Sequence, residues 1–160
     1  MAETFEIEDL GPATVRSPIN LGTEPGDDLA DFTSEDERVV ADATMASICG
    51  YFESGTLPPS LELAGPRQMI FFDPAAVGVG IVTCGGLSPG LNNVIRGLVM
   101  ALYHGYGVRR VYGFRYGFAG LDPDNGHRVL DLDPRSVRDI HRTGGTILGT
   151  SRGPQTLEVM

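Results

Sequence analysis

From Thr83 to Leu91 the chain reads TCGGLSPGL. Gly85 and Gly90 have the spacing of the glycines that frame a nucleotide-binding P-loop. Leu91 and Asn92 stand where that loop requires Lys and then Ser or Thr. The missing ammonium group is general: all twelve basic residues other than histidine are arginine. A P-loop lysine is therefore excluded within this chain, and so is any Schiff-base or lysine-nucleophile step. A glycine turn at the mouth of a helix still offers main-chain N–H groups and the partial positive charge of the helix end. Glycines let an anion approach the backbone closely. The rest of a phosphate's charge can be met by an arginine from another loop, because a guanidinium binds two oxygens at once. The local sequence leaves a second account open, in which Gly85, Gly86 and Gly90 only shape a tight strand-to-helix connection. Gly78-Val79-Gly80 is not a dinucleotide fingerprint, since Thr83 follows where that pattern needs glycine.

The elements that must position this turn are legible on either side of it. Val77 to Thr83 (VGVGIVT) is a β-branched and glycine run of the kind found in buried parallel strands. Ser88 is the expected N-cap of the following helix and Pro89 its first residue. From Asn93 to Tyr106, helical spacing places Val94, Ile95, Leu98, Val99, Leu102 and Tyr106 on one face. Arg109 to Phe114 reads as the next strand, completing a βαβ unit and predicting a parallel sheet. Asp133-Pro134 predicts another helix, carrying Val137, Ile140 and His141 and ending at Gly144-Gly145. Thr146 to Leu148 reads as a further strand. Upstream, Gln68 to Phe72 reads as a short strand stopped by Asp73-Pro74. Ser34 and Glu37 form a capping-box pattern that predicts a helix through VVADATMASIC, with Pro58-Pro59 as a linker beyond it.

Charge divides the chain. Residues 1–64 hold 14 acids and 2 arginines, a net of −12, and residues 65–160 hold 7 acids and 10 arginines, a net of +3. The acidic part argues against nucleic acid as a partner. No run approaches the roughly 18 apolar residues of a membrane span, and the acidic start MAETFEIEDL is neither a secretory signal nor a basic transit peptide. Cys49 and Cys84 form no disulfide framework or metal-site spacing, which fits a reducing, cytoplasmic setting. Cys84 is read as a small buried residue closing its strand rather than a reactive thiolate. His104 and His127 share no metal-like spacing, and His141 reads as a surface histidine. Asp122, Asp124 and Asn125 read as a turn, because Gly126 and the lack of a following glutamate break a calcium-loop pattern. Arg109-Arg110 and Arg135, Arg138 and Arg142 read as solvated faces.

Three blocks carry a resemblance. GIVTCGGLSPGLN (80–92), GFRYGFAGL (113–121) and IHRTGGTILGTSRG (140–153) are similar, in that order, to segments of the 6-phosphofructokinase family. GPRQMIFFDP (65–74) and Cys84 resemble the plant- and protist-like ATP-using clade, whose N-terminal extension corresponds to residues 1–64. The resemblance implies an α/β fold: a partial doubly wound parallel sheet over residues 65–160, the front part of a nucleotide-binding lobe, preceded by an acidic, partly helical extension over 1–64. It implies transfer of a phosphoryl group from ATP, with Mg²⁺, to fructose 6-phosphate in glycolysis. Gly86, with Gly85 beside it, falls on the glycine whose backbone meets the nucleotide phosphates. Arg152 and Gly153 fall on an arginine–glycine pair that contacts ATP, and Phe118 falls near an aromatic beside the nucleotide. Arg96 matches an arginine that some bacterial relatives use for effectors, and a homo-oligomer is implied for the full-length protein. The family's GGDG-type segment, which holds Mg²⁺, and its TIDND-type segment, which supplies the base, have no counterpart in residues 1–160. No catalytic residue is therefore assigned, and the chain reads as an inactive front portion of a longer enzyme. A diphosphate-dependent enzyme and a non-catalytic nucleotide-binding or assembly module are the alternatives. An unfinished sheet would also leave an open edge and bare apolar surface.

Overall fold

A computed structural model describes residues 10–22 and 30–152. The chain divides into two units, Met1–Phe71 and Phe72–Met160. The candidate site belongs to the second.

In the second unit the β-branched run forms β5 (Gly78–Val82), after β1 (Val15–Arg16), β2 (Arg38–Val40), helix α1 (Met45–Glu53), β3 (Ser60–Glu62) and β4 (Met69–Ile70) of the first unit. Beyond the glycine turn comes α2 (Leu91–Met100), which continues through a wider turn of helix over Ala101–Gly105. The chain then returns as β6 (Arg110–Phe114). β5 and β6 pair in parallel, from Gly78 opposite Arg110 to Val82 opposite Phe114, so the βαβ unit forms as its sequence pattern requires. The core comprises Ile81, Ile95, Val99, Val108, Val111, Leu132, Val137 and Leu148. Ile95 and Val99 face it from α2, while Val94 and Leu98 remain 59% and 46% exposed. The apolar residues of this helix thus divide between two faces instead of sharing the single one expected, because Val94 and Leu98 precede the core-facing Ile95 and Val99 by one position each. Among the described residues β5 pairs only with β6, and Leu87, Val94 and Leu98 are exposed.

The α/β class holds, with four differences in detail. The third strand, β7 (Leu130–Asp131), is antiparallel to β6, which makes the sheet mixed; two residues are too few to show a period in sequence. α2 is capped by Gly90, not Ser88, and has no side-chain cap. Gly90 sits at φ +90°, a left-handed entry that glycine adopts without penalty. Thr146–Leu148 is a turn, closed by the Gly149 N–H on the Thr146 carbonyl at 3.2 Å, rather than a strand. Its apolar character reflects the complete burial of Leu148. The helix expected after Asp133 is a capped turn followed by a short 3-10 helix at Ile140–Arg142. The Asp133 carboxylate accepts from the N–H groups of Arg135 and Ser136 at 3.0 and 2.6 Å, as a cap should. Ser136, Val137, Asp139, Ile140, His141 and Thr143 are all weaker helix formers, and the turn after Asp133 already buries Val137.

That cap has a pH signature. The Ser136 N–H holds the Asp133 carboxyl below its ordinary value, with smaller contributions from the Ser136 hydroxyl and from Arg135. A depressed carboxylate stabilises the folded chain fully above its unfolded pKa, and the contribution is lost as pH falls through the lower folded value. Asp133→Asn keeps an accepting oxygen but does not titrate. We expect the wild-type melting temperature to fall more steeply than the variant's between about pH 5 and about pH 2. Identical slopes in melts across that range would contradict the assignment.

The first unit is built of small pieces. β1 (Val15–Arg16) pairs antiparallel with β4 (Met69–Ile70), and β2 (Arg38–Val40) with β3 (Ser60–Glu62). The expected helix from Ser34 is not there. The capping-box bond forms, from the Ser34 N–H to Glu37 Oε2 at 2.7 Å, but it closes a turn, and β2 follows. Helix α1 begins later, at Met45, and runs to Glu53 with no buried residue. Val39 and Val40 favour a strand, and the Arg38 side chain joins it to β3 by donating to the Ser60 hydroxyl and carbonyl, both at 2.8 Å. Gln68–Phe72, read as a strand, pairs only over Met69–Ile70. Arg67 replaces a core here: its guanidinium donates to the carbonyls of Thr33, Ser34 and Leu63.

Candidate functional site

The end of β5 leads into Thr83, whose side chain is nearly buried and whose hydroxyl donates to the Gly149 carbonyl at 2.7 Å. The same hydroxyl lies 3.1 Å from that of Thr146. Two residues on, Gly85 takes φ +88°. Its N–H donates to the Ser151 carbonyl at 3.2 Å, and its own carbonyl accepts from the Thr150 hydroxyl at 2.7 Å. The segment 149–152 is thereby fastened alongside 83–86, although the two are far apart in sequence. Arg152 completes the arrangement: its Nη2 lies 2.9 Å from where a Cβ on Gly86 would stand. The guanidinium occupies space that any other residue at 86 would contest. Both Gly86 and Arg152 are exposed.

The third block closes the same corner. Gly117, buried and at φ +64°, lies where a Cβ would meet Cys84 Sγ at 2.9 Å, Ser151 Oγ at 3.0 Å and the Thr83 carbonyl at 3.1 Å. Tyr116 is the one described non-glycine residue with positive φ, at +66°. Its N–H donates to the Leu148 carbonyl at 2.8 Å, and its ring covers Gly149. Phe118 follows, 41% exposed. On the other side, buried Asn92 in the first turn of α2 donates to the Thr143 carbonyl and accepts from the Ile147 N–H, both at 2.8 Å. The three blocks therefore meet beyond the C-terminal ends of β5 and β6, where open α/β sheets bind ligands.

Of the residues singled out from the sequence, Gly85, Gly86 and Arg152 are brought together. Phe118 stands next to Gly117 at the same corner, and Gly153 lies outside the described residues. Cys84, expected to be buried, is exposed. Among the described residues no carboxylate pairs with Arg152, since the three ion pairs involve Arg67, Arg138 and Arg142. Arg96 donates to the Arg138 carbonyl at 3.3 Å, and Arg109 stacks on Tyr103 at 4.1 Å. Asp122 forms the turn read from its sequence, accepting from the Asp124 N–H at 2.9 Å. His141 is exposed within the short 3-10 helix. Sequence reasoning missed Thr83, Thr150 and Asn92. Their only signal was a polar residue inside or beside an apolar run, which does not distinguish a buried bond-maker from a surface residue.

Residues 78–159 match the phosphofructokinase family model, about half of the chain. The chain belongs to the phosphofructokinase family. An ATP-dependent 6-phosphofructokinase of Amycolatopsis methanolica is 50% identical over 129 residues, covering 81% of this chain and 28% of that protein. One from Entamoeba histolytica is 57% identical over 100 residues, 62% of this chain and 23% of its own length. ATP-dependent 6-phosphofructokinase 1 of Arabidopsis thaliana is 40% identical over 141 residues, 79% of this chain and 29% of its length. The chain thus spans between about a quarter and a third of the length of these relatives. Among its described residues, no helix is long and apolar enough to cross a membrane.

The corner sets the Arg152 guanidinium beside Gly86, both are exposed, and among the described residues no carboxylate pairs with that guanidinium. Among the described residues no three His, Cys, Asp or Glu side chains form a group that could hold an ion. No Mg²⁺ ligand is assigned in this chain.

Proposed function

We propose that this chain is the nucleotide-phosphate-binding front portion of an ATP-dependent 6-phosphofructokinase. In that enzyme the γ-phosphoryl of ATP passes to the 1-hydroxyl of fructose 6-phosphate, giving ADP, fructose 1,6-bisphosphate and a proton. The placement of the Arg152 guanidinium over Gly86, in a chain of this family, carries the reading. Phosphoryl transfer asks the protein mainly for positioning and charge neutralisation. Arg152, with Gly153 after it, grips phosphate oxygens. The main-chain N–H of Gly86 and the start of α2 face the polyphosphate, and Phe118 flanks the nucleotide. Residues 65–160 form the front of the lobe and residues 1–64 its acidic extension. Mg²⁺ would accompany the nucleotide and offset its phosphate charge, and none of residues 1–160 is assigned to hold it. ATP is favoured over diphosphate by the flanking sequence and by the names of the relatives. A glycolytic, cytoplasmic, homo-oligomeric full-length enzyme follows from the same reading.

Calorimetric titration of the 160-residue chain with ATP and, separately, with inorganic diphosphate tests this. ATP should bind in the micromolar-to-millimolar range, and diphosphate more weakly. No fructose 1,6-bisphosphate should form when fructose 6-phosphate and Mg²⁺ are added, because the segments for metal and base are absent from these residues. Absence of ATP binding would remove the reading. Turnover free of contaminating enzyme would overturn the assignment of the chain as non-catalytic by itself.

A further inference from the structure

We propose that Thr150 is a positioning residue that locks the Gly85–Gly86 peptide so that the Gly86 N–H is presented to a bound phosphate; this rests on the nucleotide-binding reading above. The peptide unit is planar and trans, so its C=O and N–H point in opposite directions. The carbonyl of Gly85 and the N–H of Gly86 belong to one such unit. The Thr150 hydroxyl holds that carbonyl at 2.7 Å, on the side of the 149–152 segment. The Gly86 N–H is thereby turned the other way.

The lock is needed because this peptide lies between two glycines. Gly85 sits at φ +88° and a Cβ there would meet nothing within 4 Å, so packing does not restrain it. A glycine–glycine peptide with no steric guard can rotate between orientations at little cost. Two hydrogen bonds oppose that rotation. The Gly85 N–H bond to Ser151 fixes the preceding peptide, and the Thr150 bond fixes this one. Thr83 anchors the neighbouring Gly149 carbonyl, so the strand end and the arginine segment are stapled on either side of the main-chain bond. Arg152 lies two residues beyond Thr150, so a single hydroxyl couples the amide half of the site to its guanidinium half.

The test compares Thr150→Val, which keeps the β-branched shape but removes the donor, with Thr150→Ser, which keeps the donor. Calorimetry with ATP reads the affinity, and NMR of the free chain reads the Gly85 carbonyl ¹³C and Gly86 amide shifts. We expect Thr150→Val to raise the ATP Kd about tenfold, the loss of one hydrogen bond to the site's frame. Thr150→Ser should restore affinity to within about twofold of wild type. The Gly85 and Gly86 signals should move in the valine variant and stay in place in the serine variant. Wild-type affinity in Thr150→Val, or a serine variant as weak as the valine one, overturns the inference. If the wild-type chain binds no ATP, the proposed function fails, and the shifts alone decide the lock: unmoved signals in Thr150→Val overturn it, moved signals support it. Thr150→Ala replaces the valine variant should that fail to fold.

Discussion

Arg152→Ala should weaken ATP binding by about thirtyfold or more while leaving the melting temperature within a few degrees of wild type. A charge-assisted, two-toothed contact to phosphate is worth more than a neutral hydrogen bond, about 2 kcal/mol against about 1. The side chain is exposed and forms no ion pair among the described residues, so little folded-state stability is lost with it. Arg152→Lys separates charge from shape. A lysine restores a point charge but not the planar fork, so recovery should be partial. The wild-type affinity should also fall with added salt more steeply than that of the alanine variant, since exposed charge pairs are screened. Full ATP affinity in Arg152→Ala, measured by calorimetry, would mean that the glycine turn is only a tight connection.

What the sequence made legible, and what it hid, follows from how each element is stabilised. The βαβ unit could be read because β5 and α2 bury apolar faces with clear periods: Ile81 on one, Ile95 and Val99 on the other. The glycine turn was visible because Gly85 and Gly90 adopt left-handed backbone that other residues avoid. Arg152 could be nominated only through the family resemblance, since nothing local marks it. The misreadings share a cause. At Ser34 and at Asp133 the capping chemistry is present, with the expected bonds, but a cap stabilises a helix only if the following residues propagate it. At Val39-Val40 they pair as a strand with β3, and after Ser136 they stop at a turn. Leu148 reads as a strand residue because burial and strand propensity look alike over three residues. Its real role is to plug the core below the segment that ends in Arg152. The threonine bonds at 83 and 150 join residues more than sixty apart, and no local pattern encodes such a pairing.

The largest effect on stability is expected at a glycine that touches no ligand. Gly120 is buried, and a Cβ there would stand 2.0 Å from the Arg115 carbonyl oxygen and about 3 Å from the Arg115 carbonyl carbon and nitrogen. These are backbone atoms directly after β6, so no rotamer change relieves the overlap. The chain at 115–116 must move, and Tyr116 cannot move freely. It already holds a left-handed conformation costly for a tyrosine, about 1 to 3 kcal/mol, and its N–H is bonded to the Leu148 carbonyl. Displacing it pulls on Leu148, which is fully buried, and through Gly149 on the segment carrying Thr150 and Arg152. Gly120→Ala should therefore cost about 3 kcal/mol in urea unfolding and weaken ATP binding as well. Gly97→Ala is the matched control. It lies in the middle of α2 on an exposed face, with nothing within 4 Å of an added Cβ. There the substitution should stabilise by roughly 0.5 to 1 kcal/mol, since alanine loses less freedom than glycine on entering a helix. Opposite signs for two Gly→Ala changes tie the effect to the contact at Arg115 rather than to the loss of glycine. Equal midpoints for Gly120→Ala and wild type would show that the 115–121 turn is not packed as described.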